Sequence, residues 1–226
     1  MKLRRDGGPL LRIGHRGAAA LAPANTLEAI EAGFDAGVDA VELDVLSVPG
    51  GGVALSHSAR ELPSEPATLS DALQLVARRG GCVQLDMKSR GLERAVVDEL
   101  RRYDLVERAF ASTTDLAILR ELARLEPRLQ RSVTYPRNRG RARALERFRW
   151  AVPGILARRL AAVDAAAATL QHRVVTASVV ERCHDFGAAV LVWTVNDRTL
   201  VERFEALGVD GVITDDPGVF RATLSS

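Results

Sequence analysis

Several residue types are scarce in this 226-residue chain, and each shortage excludes something. Two cysteines, Cys82 and Cys183, supply neither a disulfide framework nor a paired metal motif, and that usage fits a reducing, cytoplasmic setting. Aromatic residues make up 4% of the chain, and 31 basic against 29 acidic residues leave a net charge of only +2. Nothing in that balance calls for nucleic acid as a partner. No apolar run approaches the ~18 residues of a membrane-spanning helix, and the charged N-terminus lacks the apolar stretch of a signal peptide, so no transmembrane segment is expected. Lysine is nearly missing: Lys2 and Lys88 stand alone, and every other cation is arginine. The position of Lys88 therefore carries information.

What is present is ordinary for a soluble globular protein, with 47% hydrophobic and 27% charged residues. Short, nearly continuous apolar runs alternate with helical patterns. The runs at 11–15, 40–45, 81–87, 109–112, 129–134, 161–163, 189–195 and 211–214 read as strands covered on both faces. Helix signals lie between them. Asn25 with Glu28 three residues on predicts an N-cap, with Leu27, Ile30 and Phe34 on one face and Gly37 as the stop. Ser178 with Glu181 predicts another cap before a stop at Gly187, and Asp197 a third before Gly208. Leu92, Val96, Leu100 and Tyr103 form one more apolar stripe. About eight strand–helix units without a linker predict a single-domain parallel (β/α)8 barrel, slightly short of the usual ~250 residues. An open doubly wound sheet fits less well, because no Gly-x-Gly-x-x-Gly turn follows the first strand. The segments 36–44 and 207–215 echo one another as helix end, glycine turn and strand.

Reactive groups in such a barrel gather at the C-terminal ends of the strands. Those ends hold His15-Arg16, then Glu42 and Asp44, and further on Asp86 and Lys88; a brief extended return over 53–57 follows the triple glycine 50–52 and ends at His57. Residues two apart on a strand share a face, so Glu42 and Asp44 point the same way, as do Asp86 and Lys88. Three carboxylates converging on a barrel interior leave negative charge that a hard divalent cation with oxygen ligands resolves. Imidazole as a side-chain type changes charge near neutral pH, which suits histidines at positions 15 and 57 to general base and acid roles. Arg16 and Lys88 beside a metal suit a phosphoryl group that gains negative charge.

These residues lie in segments that resemble the glycerophosphodiester phosphodiesterases. The matching segments are His-Arg-Gly (15–17), Pro-Ala-Asn-Thr (23–26), Gly-Val-Asp-Ala-Val-Glu-Leu-Asp (37–44), Leu-Ser-His-Ser (55–58), Leu-Asp-Met-Lys (85–88), Trp-Thr-Val-Asn (193–196) and Gly-Val-Ile-Thr-Asp (211–215). They span nearly the whole chain in the family's order. The resemblance implies a TIM barrel that hydrolyses glycerophosphodiesters, small-molecule substrates, to glycerol 3-phosphate and an alcohol with a divalent metal, Mg²⁺ or Ca²⁺ before Mn²⁺. It implies His15 and His57 as the acid–base pair, Glu42, Asp44 and Asp86 as metal ligands, Arg16 and Lys88 as phosphate holders, and Trp193 as a wall of the substrate pocket. The chain departs from the family pattern at Ala24, where glutamate is usual, at Ser58, where aspartate is usual, and at Asp86, one methylene shorter than the usual glutamate. A short loop between His57 and Asp86 replaces the small inserted subdomain of many relatives.

Two other functions fit the same residues: a phospholipase D-like barrel acting on lysophospholipids, and a non-catalytic barrel that binds phosphorylated ligands. The arginines at 131, 137, 139, 141, 143, 147 and 149 read as a solvated barrel helix. His172 reads as surface, and Cys183 and His184 point in different directions on one helix. Asp215 and Asp216 read as caps of the last helix.

Overall fold

Alternation with a period of two runs through the strands and decides which side chains face the barrel axis. A computed structural model describes residues 1–48, 51–137 and 139–220; Gly50, the first of the triple glycine, and the side chain of Arg139 lie outside the described residues. The strands are β1 (Leu11–Gly14), β2 (Ala40–Ser47), β3 (Val53–Leu55), β4 (Cys82–Met87), β5 (Ala109–Thr113), β6 (Gln130–Tyr135), β7 (Ala167–Gln171), β8 (Ala189–Trp193) and β9 (Gly211–Thr214). Eight of them pair in parallel, and β1 pairs with both β9 and β2, which closes the barrel. Short β3 is added antiparallel to β2, with Val45 opposite Leu55.

On β2, Val41, Leu43 and Val45 point outward into the main core beneath the helices, whereas Ala40 joins Ile13, Phe110, Leu191 and Ile213 in a second core inside the barrel. Leu3 packs into that inner core from the N-terminal segment. The inward positions therefore change character along the axis, apolar at the N-terminal ends of the strands and polar toward their C-terminal ends. Gln84 donates to Ser112 Oγ at 2.9 Å, and Ser132 and Thr169 hydroxyls meet at 2.7 Å.

The outer helices are α1 (Leu27–Asp35), α2 (Leu69–Arg78), α3 (Glu93–Arg102), α4 (Leu116–Leu125), α5 (Arg139–Leu145), α6 (Val152–Ala161), α7 (Ala177–Asp185) and α8 (Arg198–Ala206). The stops at Gly37, Gly187 and Gly208 all take positive φ, as helix-terminating glycines do. Three expectations about this layer are corrected. The caps of α1 and α7 are Thr26 and Thr176, not Asn25 and Ser178; each hydroxyl accepts from the third backbone N–H beyond it, which stabilises a helix by about 1 kcal/mol. The sixth barrel strand is β7, Ala167–Gln171, whereas residues 161–163 are the end and exit of α6. Alanine favours helix, and the alanine-rich run 161–168 offers no period to separate the two. Finally, the arginine-rich stretch is not one solvated helix. Arg131 lies on β6, nearly buried, with its guanidinium donating to the carbonyls of Leu129 (3.0 Å) and Asp164 (3.2 Å), while α5 lies beyond the C-terminal end of β6.

No helix among the described residues is long and apolar enough to cross a membrane. Burial pushes the Cys183 thiol up to about 12, and its neighbour His184 turns away to Asp210, 2.9 Å from Nε2.

One ionic staple tests how the outer layer holds. Buried Glu126, at the end of α4, accepts from Arg128 at 2.9 Å and from Arg101 of α3 at 3.0 Å. The Arg128 bond first, and Arg101 next, hold its carboxyl at about 2 against the opposing effect of burial. A depressed folded-state value stabilises the fold above the unfolded carboxyl's ~4.3 and loses that contribution as pH falls toward the folded value. Glu126→Gln is expected to lower the melting temperature at pH 7 and to converge on the wild type as the pH is lowered from about 4.5 toward 2. A constant difference across that range would contradict the account.

Candidate active site

The first turn after β1 is built on contact between backbones. Arg16 and Gly17 both take positive φ, at 53° and 91°. A Cβ on Gly17 would stand 2.6 Å from the Ala29 carbonyl carbon, and one on Gly33 would stand 2.7 Å from the Gly17 oxygen. Glycine at both positions lets the His-Arg-Gly turn seat directly on α1. That seating sends His15 and Arg16 over the mouth of the barrel, where the Arg16 backbone N–H donates to Glu42 Oε2 at 2.9 Å.

Asp44 is the hub. Its backbone N–H donates to Asn25 Oδ1 and its Oδ2 accepts from Asn25 Nδ2, both at 3.0 Å. Arg16 Nε lies 3.0 Å from the carboxylate, Lys88 Nζ 2.6 Å and His57 Nδ1 3.3 Å. Lys88 also donates to Asp86, which accepts from Ser112 Oγ at 2.7 Å. Burial alone would raise the Asp44 pKa, but the His57 bond and the Lys88 and Arg16 charges hold it far below the usual carboxylate range. Glu42 has no such cations in contact: burial first, and then the Asp44 charge, push it up to about 7. Burial depresses the Lys88 ammonium, yet the Asp86, Asp44 and Glu42 charges outweigh that and raise it.

Ligand atoms of Glu42, Asp44 and Asp86 all lie within 4.8 Å of one another, an all-oxygen set suited to a hard divalent cation. One pleat deeper on β4, Gln84 Oε1 is buried with no hydrogen-bond partner among the described residues, a further sign of uncompensated electron density there. The donor chemistry therefore fits a cation such as Mg²⁺, Ca²⁺ or Mn²⁺.

His15 exposes a residue that the sequence reading assigned elsewhere. Its Nδ1 meets Asp215 Oδ1 at 2.6 Å, and its Nε2 lies 3.9 Å from Glu42 Oε2. Asp215 is itself held by Asn196, whose Nδ2 donates to it at 2.6 Å. It orients His15 rather than capping the last turn, a task that Asp216 performs alone by accepting from the Gly218 N–H at 2.8 Å. Burial lowers the His15 pKa, but the Asp215 bond and the Glu42 and Asp215 charges overcome it and leave the imidazole above its usual value. Ser58 makes no bond to His57; its hydroxyl donates to Glu61 at 3.2 Å. His172 is half-buried, with Nδ1 3.1 Å from the Thr194 carbonyl oxygen, so it is not a plain surface residue.

A single cleft of about 1440 Å³ gathers His15, Arg16, Glu42, Asp44, His57, Asp86, Lys88 and Trp193. The Trp193 Nε1–H donates to the Thr169 carbonyl at 3.3 Å, which pins its ring as part of the cleft wall. The closed parallel barrel with its cleft at the C-terminal ends of the strands is that of the TIM-barrel enzymes.

Within that class, the sequence model of the glycerophosphoryl diester phosphodiesterase family matches residues 15–62 and 83–219, and the chain belongs to this family. It is 24% identical to a glycerophosphodiester phosphodiesterase of Caldanaerobacter subterraneus over 92% of this chain and 94% of that protein. Its fold superimposes on a putative glycerophosphoryl diester phosphodiesterase of Silicibacter pomeroyi with a TM-score of 0.81 and 25% identity, covering 98% of this chain and 95% of the other. A phosphodiesterase of Oleispira antarctica, solved with its product sn-glycerol 3-phosphate, gives a TM-score of 0.80 at 22% identity over 96% and 97% of the two chains.

The His15–Asp215 bond is directly testable. Asp215→Asn removes the charge and the strongest upward influence on the imidazole, so the His15 pKa is expected to fall. Titration of the histidine ring signals by NMR reads this; an unmoved His15 would show that Asp215 does not set its basicity.

Proposed function

We propose that the protein hydrolyses glycerophosphodiesters to glycerol 3-phosphate and an alcohol, with a divalent cation held by Glu42, Asp44 and Asp86 and with His15 and His57 as the acid–base pair. The observation that carries this reading is the cluster itself: two histidines, three carboxylates, Arg16 and Lys88 in one cleft. The product bound in the Oleispira antarctica relative supports the same glycerol phosphate half for this chain.

When bound, such a cation supplies charge stabilisation to a non-bridging phosphate oxygen. The protein's own groups do the rest. Arg16 and Lys88 bind the phosphate and take up charge that develops during attack. His15 serves as base: Asp215 fixes its Nδ1 and stabilises the imidazolium formed when Nε2 accepts a proton from the attacking hydroxyl, whether of water or of the glycerol 2-position. His57, with Nδ1 toward Asp44, returns a proton to the leaving alkoxide. Burial and the Asp44 charge push the Glu42 carboxyl up to about 7, so a cation held there would favour its ionised form.

Glycerol 3-phosphate release from glycerophosphocholine and glycerophosphoethanolamine is expected, abolished by EDTA and restored by Mg²⁺, Ca²⁺ or Mn²⁺. His15→Ala and His57→Ala should each lose about 10²–10⁴-fold in kcat. The His57 loss should shrink on a substrate with a good leaving group. Full His57→Ala activity on a poor leaving group would refute the acid role, and turnover insensitive to EDTA would refute the cation. Turnover of lysophospholipids alone would move the enzyme to the phospholipase D-like reading. Calorimetry of cation binding near pH 7 in buffers of different ionisation enthalpy should show proton release; a buffer-independent heat would contradict the protonated Glu42.

A further inference from the structure

The cleft is larger than its catalytic end requires. Its volume exceeds the ~300–1,000 Å³ of ordinary small-molecule pockets, and the phosphate-handling groups on β1, β2 and β4 occupy only one side. The remainder extends past the ends of β5 and β6 to a wall made by Tyr135, Arg137, Arg141 of α5 and Arg159 of α6.

That wall is strongly cationic. Asp115, a carboxylate on the same cleft, bears on Arg159 but is gripped by Arg90 at 2.6 and 3.0 Å and caps α4 through the Ala117 N–H at 2.9 Å. Arg159 has one amino group bound to the Thr114 carbonyl at 2.6 Å, while its Nε is buried with no hydrogen-bond partner among the described residues. Arg159 stands over the Tyr135 ring at 5.9 Å, and both it and Arg141 bear electrostatically on the Tyr135 phenol. Guanidiniums of Arg137, Arg141 and Arg159 on one wall of this cleft suit a planar or tetrahedral oxyanion.

We propose that Arg137, Arg141 and Arg159 form a second anion subsite that receives the alcohol half of the substrate, and that the preferred substrates are glycerophosphodiesters whose alcohol carries a further phosphate. The inference rests on the proposed phosphodiesterase reading. In the reaction, water adds to phosphorus and the phosphorus–oxygen bond to the alcohol breaks. The first phosphate stays on glycerol, and the second leaves intact on the alcohol.

The test compares glycerophosphoinositol 4-phosphate, glycerophosphoinositol and glycerophosphocholine with the metal-loaded enzyme at low salt. The first two differ only in the additional phosphate. The phosphorylated substrate is expected to have at least a tenfold higher kcat/KM than glycerophosphoinositol, and the ratio should fall as salt is raised. In Arg137→Gln/Arg159→Gln the ratio should drop to near one. Because Arg159 also binds backbone, Arg137→Gln alone is measured in parallel; its side chain is exposed, and it should reduce the ratio severalfold. A wild-type ratio at or below one, or a ratio unchanged in both variants, overturns the subsite while leaving the phosphodiesterase reading intact. Failure to hydrolyse any of the three substrates overturns that reading and the subsite with it.

Discussion

Negative charge held inside a protein needs compensation, and the barrel rim is organised around that requirement at Asp44. A carboxylate about 1% exposed would ordinarily take up a proton. Here two cations, an imidazole and the amide of Asn25 surround it, so it stays ionised. Removing one partner from such a buried arrangement typically costs about 3–5 kcal/mol, far more than an exposed pair would. The same crowding leaves Glu42 undercompensated. Asp44 and Glu42, two residues apart on one strand, are thus shifted in opposite directions, and the difference follows from which of them the cations reach.

The apolar half of the barrel interior is what makes this arrangement expensive and therefore specific. Ile13, Phe110 and Ile213 fill the axis below the site and exclude water from beneath it. The polar layer above, with Gln84, Ser112, Ser132 and Thr169, supplies hydrogen bonds at the depth where the first charges begin. The graded interior gives Asp86 a fixed orientation through Ser112 while its other face turns to Lys88. Position along the strand, read in steps of two, sets how much solvent and how many partners each charge has.

That is also why so much was legible beforehand. Period two places Glu42 with Asp44 and Asp86 with Lys88 on common faces from spacing alone, and the strand ends follow from the apolar runs. The echo between 36–44 and 207–215 has a physical basis. In both, the aspartate after Gly-Val staples neighbouring backbone: Asp39 accepts from the Arg12 N–H at 2.8 Å, and Asp210 accepts from the Val190 N–H at 2.8 Å. The echo further sets Asp215 level with Asp44, and that alignment was the signal that could have identified it as a site residue. Asn25 was hidden for a different reason. Asparagine before a helix reads as a cap, and only the positive φ of 61° adopted here turns its amide toward β2 and leaves capping to Thr26. The sixth barrel strand, β7, is hidden because alanine carries no period.

The division between strands and loops gives the site two kinds of parts. Glu42, Asp44 and Asp86 sit on hydrogen-bonded strands whose positions the closed sheet fixes, so their mutual distances cannot change without disturbing registers around the ring. The arginines of the far wall sit on the excursion between β6 and β7, which contributes an additional helix beyond the one crossover that a barrel needs. Loop positions tolerate substitution and length change where strand positions do not. Carboxylates carried by strands and arginines carried by the segment between β6 and β7 can therefore vary independently. In this chain the loop between β3 and α2 contributes no helix or strand of its own, so the excursion after β6 is the main structure built over the mouth among the described residues. The side of the cleft away from the carboxylates is therefore lined in large part by groups that this excursion presents.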